Sequence, residues 1–382
     1  MLGSSISRCI LFLGILILCS CSKEDTARYD NYFISPVEPS LVDENHVSEG
    51  LIVSGENGEL FHFFRYDKGI TGNHTGNNGS IAMRTSENDG KTWNSIKIIY
   101  NDEYDDRNLR GGIYKNGEII LFFRRYDASS NSSIDLNYIT SYDNGESWTS
   151  RKTLNFDLDN VPEVWIDNFI EIGESKYLLP VHGVGYCELW YLGLEKGIVK
   201  LYDKIWEWNY IGKEDMLIDE PMFTYIGNNR IIGLFRNESK NKKSNYLQVI
   251  SDDNGNSWTE PSLTNICTPF FSPSPMIVYD RSVDKLIVVG TDRRLEKNGN
   301  YKPENSEIFV YINDASDVWE QPQNFSLISK FVRPTPNSFR LYGYPSYGKI
   351  SPGKYVIVFT ESYLDNGLEE ADFYQFNISI TN

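Results

Sequence analysis

Histidine and cysteine are scarce in this chain of 382 residues, at His 4 and Cys 5. With no HExxH and no paired CxxC, the material for a multi-ligand metal centre is missing, and neither a metal nor a cofactor is expected. Positive charge is in deficit as well. Lys+Arg 36 against Asp+Glu 53 leave a formal net charge of -17, which excludes nucleic-acid binding driven by counterion release. An anionic ligand must then be captured by arginines clustered against that field. Past the N-terminus no apolar stretch approaches the ~20 residues of a membrane span, and no convincing helical periodicity appears. Aromatic surface, by contrast, is plentiful: Tyr 25, Phe 20 and Trp 8 build a sizeable core and exclude global disorder. The length suits two or three domains, or one large repetitive one.

Met1 to Cys21 has the pattern of a secretion signal. Arg8 is its only charge, Ile10 to Leu18 is unbroken apolar sequence, and Leu18-Cys19-Ser20-Cys21 follows. The last four residues resemble a bacterial lipobox, although Cys19 stands where a smaller residue is usual. Ser22-Lys23-Glu24-Asp25 is similar to the acidic tag behind the lipidated cysteine of Bacteroidetes surface lipoproteins. The resemblance implies that residues 1–20 are removed, that Cys21 is lipidated, and that the mature protein sits at the outer membrane, facing the cell surface or the periplasm. An ordinary cleaved signal peptide is the alternative. Cys187 and Cys267 are then the remaining thiols, and one pair in a large chain does not define a disulfide.

Internal repetition organises the rest. Ser141-Tyr142-Asp143-Asn144-Gly145-Glu146-Ser147-Trp148 matches Ser251-Asp252-Asp253-Asn254-Gly255-Asn256-Ser257-Trp258 position by position. Ser86 to Trp93 repeats the pattern with Asn88 in the first Asp slot. Asp and Asn side chains bond nearby amides, Gly takes a positive φ, and Trp closes the turn, so each copy predicts a hairpin. Asp314 to Trp319 reads as a decayed fourth copy and Trp206 as the mark of a fifth. Ahead of the copies, apolar runs end in arginine at Phe63-Phe64-Arg65, Phe122-Phe123-Arg124 and Leu234-Phe235-Arg236. Four short strands per unit of roughly fifty residues is the period of a propeller blade. Counting from Gly50, Gly112, Asp167, Glu220, Ser274 and Tyr344 gives six units. The expected fold is all-β: a six-bladed propeller of four-stranded antiparallel blades over residues 41–382. Residues 21–40 serve as anchor linker, and Tyr32 to Pro39 supplies a ring-closing outer strand.

The boxes resemble the Asp-box of the sialidase superfamily, and the resemblance covers nearly the whole mature chain. Asp219-Glu220-Pro221 through Arg236 looks like the segment joining the family's catalytic glutamate to a substrate-binding arginine. Gly343-Tyr344-Pro345 through Thr360-Glu361 resembles the segment bearing its nucleophilic tyrosine. The resemblance implies Tyr344 as nucleophile, Glu220 as its base, and Arg236 with Arg293 as a carboxylate clamp. A tyrosine suits a sugar whose anomeric carbon carries a carboxylate, because an anionic nucleophile would be repelled.

Two positions depart from the family. His46-Val47-Ser48-Glu49-Gly50 has no counterpart of the first clamp arginine, and the loop Ile70 to Ser80 has no acid. His74 in that loop is the candidate general acid, with Asp105 or Asp106 as alternatives. Arg65, Arg124 and His182, each ending a second strand, complete the substrate-binding candidates. The implied function is an exo-acting glycoside hydrolase for an acidic terminal sugar, of sialic or uronic acid type, working as a monomer on a glycan and held to the membrane by its lipid. A uronate-directed polysaccharide lyase and a non-catalytic glycan-binding lipoprotein are the alternatives.

Overall fold

The computed structural model describes residues 28–29, 31–42, 45–55, 57–67, 79–154, 163–173, 175–213, 216–239, 245–266, 273–292, 307–332, 340–365 and 368–381. They form six antiparallel sheets arranged as a six-bladed β-propeller, in which the main strands of each blade hydrogen-bond in chain order from the axis outward. The innermost strands are His46–Ser54, Asp105–Ile113, Trp165–Ile166 continued by Ile170–Ile172, Ile218–Gly227, Met276–Asp280 and Arg340–Ser351. Gly50 and Gly112 thus lie inside inner strands rather than at their starts.

The apolar runs behave as strands covered on both faces. Every residue of Leu60–Asp67 is buried, because the two faces of a blade pack against different neighbours. Phe63 joins Leu109, Leu121 and Phe123 of blade 2, whereas Phe64 joins Val356, Val358 and Phe373 of blade 6. Such clusters fill the junctions between successive blades all round the ring.

The ring is closed from both ends of the chain. Tyr32–Ile34 and Glu38–Leu41 both pair with Leu368–Ile380, the third strand of blade 6. Ser35 N donates to the Asn377 carbonyl at 2.9 Å and Thr381 N to that of Asn31 at 2.9 Å.

The three box copies are hairpin turns with one bonding scheme. The serine hydroxyl accepts the glycine amide (Gly145 N to Ser141 Oγ 2.8 Å, Gly255 N to Ser251 Oγ 2.8 Å, Gly90 N to Ser86 Oγ 3.0 Å). The side-chain Oδ1 of the Asp or Asn accepts the amide four residues on, at 2.8 to 2.9 Å. Two successive residues carry positive φ, for example Asn144 at 54° and Gly145 at 80°, so Asn shares the left-handed role assigned to Gly. The two degenerate copies are different structures. Asp314 precedes a five-residue helix, Ala315–Trp319, and Trp206 lies within the strand Ile198–Asn209. Neither segment has the Ser and Asp acceptors that build the turn.

Gly111 sits at the bulged part of the blade 2 inner strand with φ +150°, and a Cβ there would lie 2.1 Å from the Ile120 carbonyl oxygen. Gly111→Ala should therefore destabilise the protein by roughly 3 kcal/mol or more, measured by denaturant unfolding. A loss below ~1 kcal/mol would contradict this packing.

Candidate active site

Four inner strands break their ladders at one level. Register slips fall between Ser48 and Leu51, Arg107 and Arg110, Asp219 and Met222, and Gly343 and Ser346. Within each slip one non-glycine residue adopts positive φ: Glu49 at 58°, Asn108 at 54°, Glu220 at 39° and Tyr344 at 48°. A bulge re-aims a side chain that the pleat would send into a blade interface, at some cost in backbone strain. All four bulged residues line one cavity of about 190 Å³ near the axis. Proline explains two of the four sites, since Pro221 and Pro345 have no amide for the ladder.

Glu220 is the hub. Its Oε1 accepts the Tyr344 hydroxyl at 3.2 Å. Its Oε2 lies 3.1 Å from Arg236 Nη1 and accepts the Ser274 amide at 2.7 Å. Arg236 also pairs with Glu238. Burial opposes the Arg236 charge, but the Glu220 and Glu238 carboxylates outweigh it and raise its pKa.

Arg110 faces the Tyr344 ring, with the guanidinium carbon 5.6 Å from the centroid. Its Nε bonds Asp167 Oδ1 at 2.6 Å. Asp167 Oδ2 lies 2.9 Å from His182 Nε2, and His182 Nδ1 lies 3.0 Å from Asp219 Oδ1. Burial would lower the His182 pKa, yet its bonds to Asp167 and Asp219 raise it to about 9. That direction favours the protonated ring at neutral pH, with a carboxylate on each nitrogen, although the Glu220 amide nitrogen also lies 3.3 Å from Nδ1.

Arg124 reaches the cavity edge, bonding Asn108 Oδ1 at 2.9 Å and Glu163 at 3.3 Å, with its guanidinium 5.3 Å from the Trp165 ring centre. Glu49 accepts from both nitrogens of Asn108 and lies 3.5 Å from Arg107.

Of the sequence candidates, Tyr344, Glu220, Arg236, Arg124 and His182 line this cavity. Arg65 does not. It is 0% exposed and tied to Asp105 at 2.7 Å, Asp67 at 3.2 Å and His46 at 3.2 Å, so it is a structural cation joining blades 1 and 2. Asp105 and Asp106 do not line the cavity either; both are fully buried. Burial, followed by the Asp102 charge, raises Asp106 to about 8. His74, Arg293 and Cys21 lie outside the described residues. Cys187 is a buried free thiol, and Cys267 falls outside the description. Sequence reasoning passed over Glu49, Arg110 and Asp167 as site residues.

A closed ring of antiparallel blades with convergent polar residues at its axis defines a sialidase-like propeller. The family model described as a BNR repeat-like domain matches residues 58–272, and the chain belongs to that family. No curated protein matches it. Among solved structures it is similar to a protein of unknown function from Dyadobacter fermentans, with TM-score 0.66, 14% identity, and 90% of this chain and 99% of that one covered. It is similar to a phage phi92 endosialidase at TM-score 0.64 and 11% identity, covering 91% and 69%. A Ruminococcus gnavus intramolecular trans-sialidase gives TM-score 0.61 and 12% identity, covering 86% and 94%. At these identities the likeness carries the fold alone.

The His182 clamp has a pH signature. A folded pKa of about 9 against ~6.5 unfolded contributes stability that is complete below pH ~6.5 and lost as pH rises through about 9. His182→Asn should remove that component, so wild type and variant should converge in stability between those values. A constant difference from pH 6 to 9.5 would refute the imidazolium.

Proposed function

We propose that this protein is an exo-acting glycoside hydrolase for an acidic terminal sugar, exported and held to the outer membrane by a lipid on Cys21. The observation that carries the reading is the Tyr344 hydroxyl at 3.2 Å from Glu220, with Arg236 on the other oxygen of the same carboxylate. Tyr344 Oη bonds to the anomeric carbon as the glycosidic bond breaks, and Glu220 accepts the phenolic proton. The leaving oxygen takes a proton from His74. Water then gives a proton back to His74 as its oxygen bonds to the anomeric carbon, and the Tyr344 oxygen leaves, taking back the proton held by Glu220.

Charge supports an anionic substrate. Four guanidiniums and the His182 imidazolium face three lining carboxylates (Glu49, Asp219 and Glu220), in a chain whose net charge is -17. Arg236, Arg110 and Arg124 form the clamp for the substrate carboxylate, and the family resemblance adds Arg293 as a further candidate. Arg110 stands in for the arginine that blade 1 lacks at Ser48-Glu49. A cavity of about 190 Å³ is of the size of one sugar unit, which accords with cleavage from a chain end.

The test is a screen of purified mature protein against a sialoside and uronate-bearing oligosaccharides. Glu220→Gln should lower turnover roughly 10²–10⁴-fold, and Tyr344→Phe should lower it by on the order of 10³ or more. Turnover that survives Tyr344→Phe unchanged would sink the assignment. An unsaturated product absorbing in the ultraviolet would indicate the lyase, and absence of turnover with retained binding would indicate a glycan-binding protein. Cys21→Ser should abolish incorporation of a labelled fatty acid.

A further inference from the structure

Arg84 breaks a rule that the other deeply buried arginines obey. The guanidiniums of Arg65, Arg107, Arg110, Arg124 and Arg236 each meet a carboxylate. Arg84, 2% exposed on the third strand of blade 1, Gly79–Ser86, meets none among the described residues. Its bonds go to neutral acceptors: Nε to His62 Nδ1 at 3.0 Å, Nη1 to the Ser40 carbonyl at 2.6 Å, and Nη2 to Ser40 Oγ at 2.7 Å. Burial, followed by the Arg84 charge, holds His62 well below the usual imidazole range, so His62 stays neutral. Burial brings Arg84 itself down to about 9, which leaves it cationic at neutral pH. A buried cation without a counter-ion is costly, and two of its five N–H groups remain for another acceptor.

The repeat supplies an internal control. Two residues before the box serine, blades 2 and 4 carry Ile139 and Val249, both fully buried aliphatic residues. Blade 1 alone among these copies puts a guanidinium there. Five residues after the serine, Glu146 and Asn256 are replaced by Lys91. Trp148 and Trp258 turn their indole N–H back to their own glycine carbonyls, at 3.2 and 2.9 Å. Trp93 instead donates to Gln375 Oε1 of blade 6 at 3.1 Å, and Arg84 lies 4.5 Å from its ring centre. These three departures surround one depression of about 330 Å³, bounded by Arg84, Lys91, Trp93, Ser40 and Gln375. Glu38, also in its wall, accepts from Gln375 Nε2 at 3.0 Å. No residue lines both this depression and the candidate active site.

We propose that the depression is a second, non-catalytic sugar site selective for a carboxylate or sulfate substituent, with Trp93 against the sugar ring and Arg84 and Lys91 on the anion. The bound anion supplies the counter-charge that Arg84 lacks, and the aromatic face gives the neutral part of the sugar its contact. The site would hold an acidic glycan on the rim of blades 1 and 6 while its end is processed elsewhere. It does not depend on the roles given to Tyr344 and Glu220.

The experiment follows the indole N–H signal of Trp93 by NMR, assigned with Trp93→Phe, in Tyr344→Phe protein so that no probe is consumed. Probes are a galacturonate trisaccharide, a sulfated galactose disaccharide and neutral galactotriose. A saturable shift with either anionic probe, absent with the neutral one, is expected, and the two anionic arms tell carboxylate from sulfate. Arg84→Gln should weaken binding about tenfold or more, and the exposed Lys91→Glu should do likewise if Arg84→Gln fails to fold. Arg236→Met should leave the Trp93 response intact. The proposal is overturned if Trp93 ignores both anionic sugars, responds equally to the neutral one, or responds undiminished in the charge variants. Loss of the response in Arg236→Met would also overturn it, by assigning the signal to the axial cavity.

Discussion

Glu220 has two carboxylate oxygens, and three chain segments compete for them. Tyr344 comes from blade 6, the Ser274 amide from the entry to blade 5, and Arg236 from the neighbouring strand of blade 4. Tyr344 lies 124 residues from Glu220 along the chain, so the contact forms only when the ring closes. Closure in turn rests on apolar packing between blades and on the N-terminal strands that pair with Leu368–Ile380. The geometry at the axis is therefore coupled to the stability of the whole ring.

The bulges are the second half of that constraint. An unbroken inner strand alternates its side chains into the two blade interfaces, where Glu220 and Glu49 would be unpaired charges among aliphatic residues. One left-handed residue per strand turns the charge toward the axis instead. The strain is local, and the ladder resumes within two or three residues. Recurrence of the device in four blades shows that it belongs to the repeat, while the residue occupying it differs: Glu, Asn, Glu, Tyr. Individuality is concentrated at the position that the scaffold leaves free.

That division explains what could be read from the residues alone. The boxes were legible because Ser, Asp and Gly bond within one turn, so the motif is local and self-sufficient. A lone Trp206, or Asp314 without its serine, resembles the pattern without containing the bonds, and other structures formed there. Glu220 and Tyr344 were legible through their following prolines and the family resemblance. Arg65, Arg124 and Arg236 do occupy equivalent places, each opposite the residue just before the slip in the neighbouring inner strand, and His182 lies opposite Trp165, one residue further from the break in blade 3. Equivalence did not decide their roles. Arg65 is drawn into Asp105 and Asp67, whereas Arg236 is drawn to Glu220, and those partners come from other segments. Arg110 and Asp167 were invisible for the same reason, since their pairing at 2.6 Å joins blades 2 and 3.

Charge compensation distinguishes the two ends of this surface. At the axis each lining guanidinium is already paired, so a carboxylate entering the cavity would share cations with resident carboxylates rather than meet bare charge. Such a site discriminates by geometry: an incoming anion gains only where it reaches donors that Glu220, Asp167 and Glu163 leave unused. Among the described residues Arg84 pairs with no carboxylate, Glu38 in the same wall being bonded to Gln375, so its selectivity would come from charge itself. One chain of net charge -17 can thus hold two kinds of anion site, because in each the local arrangement of a few buried guanidiniums outweighs a diffuse field that salt screens within about 8–10 Å.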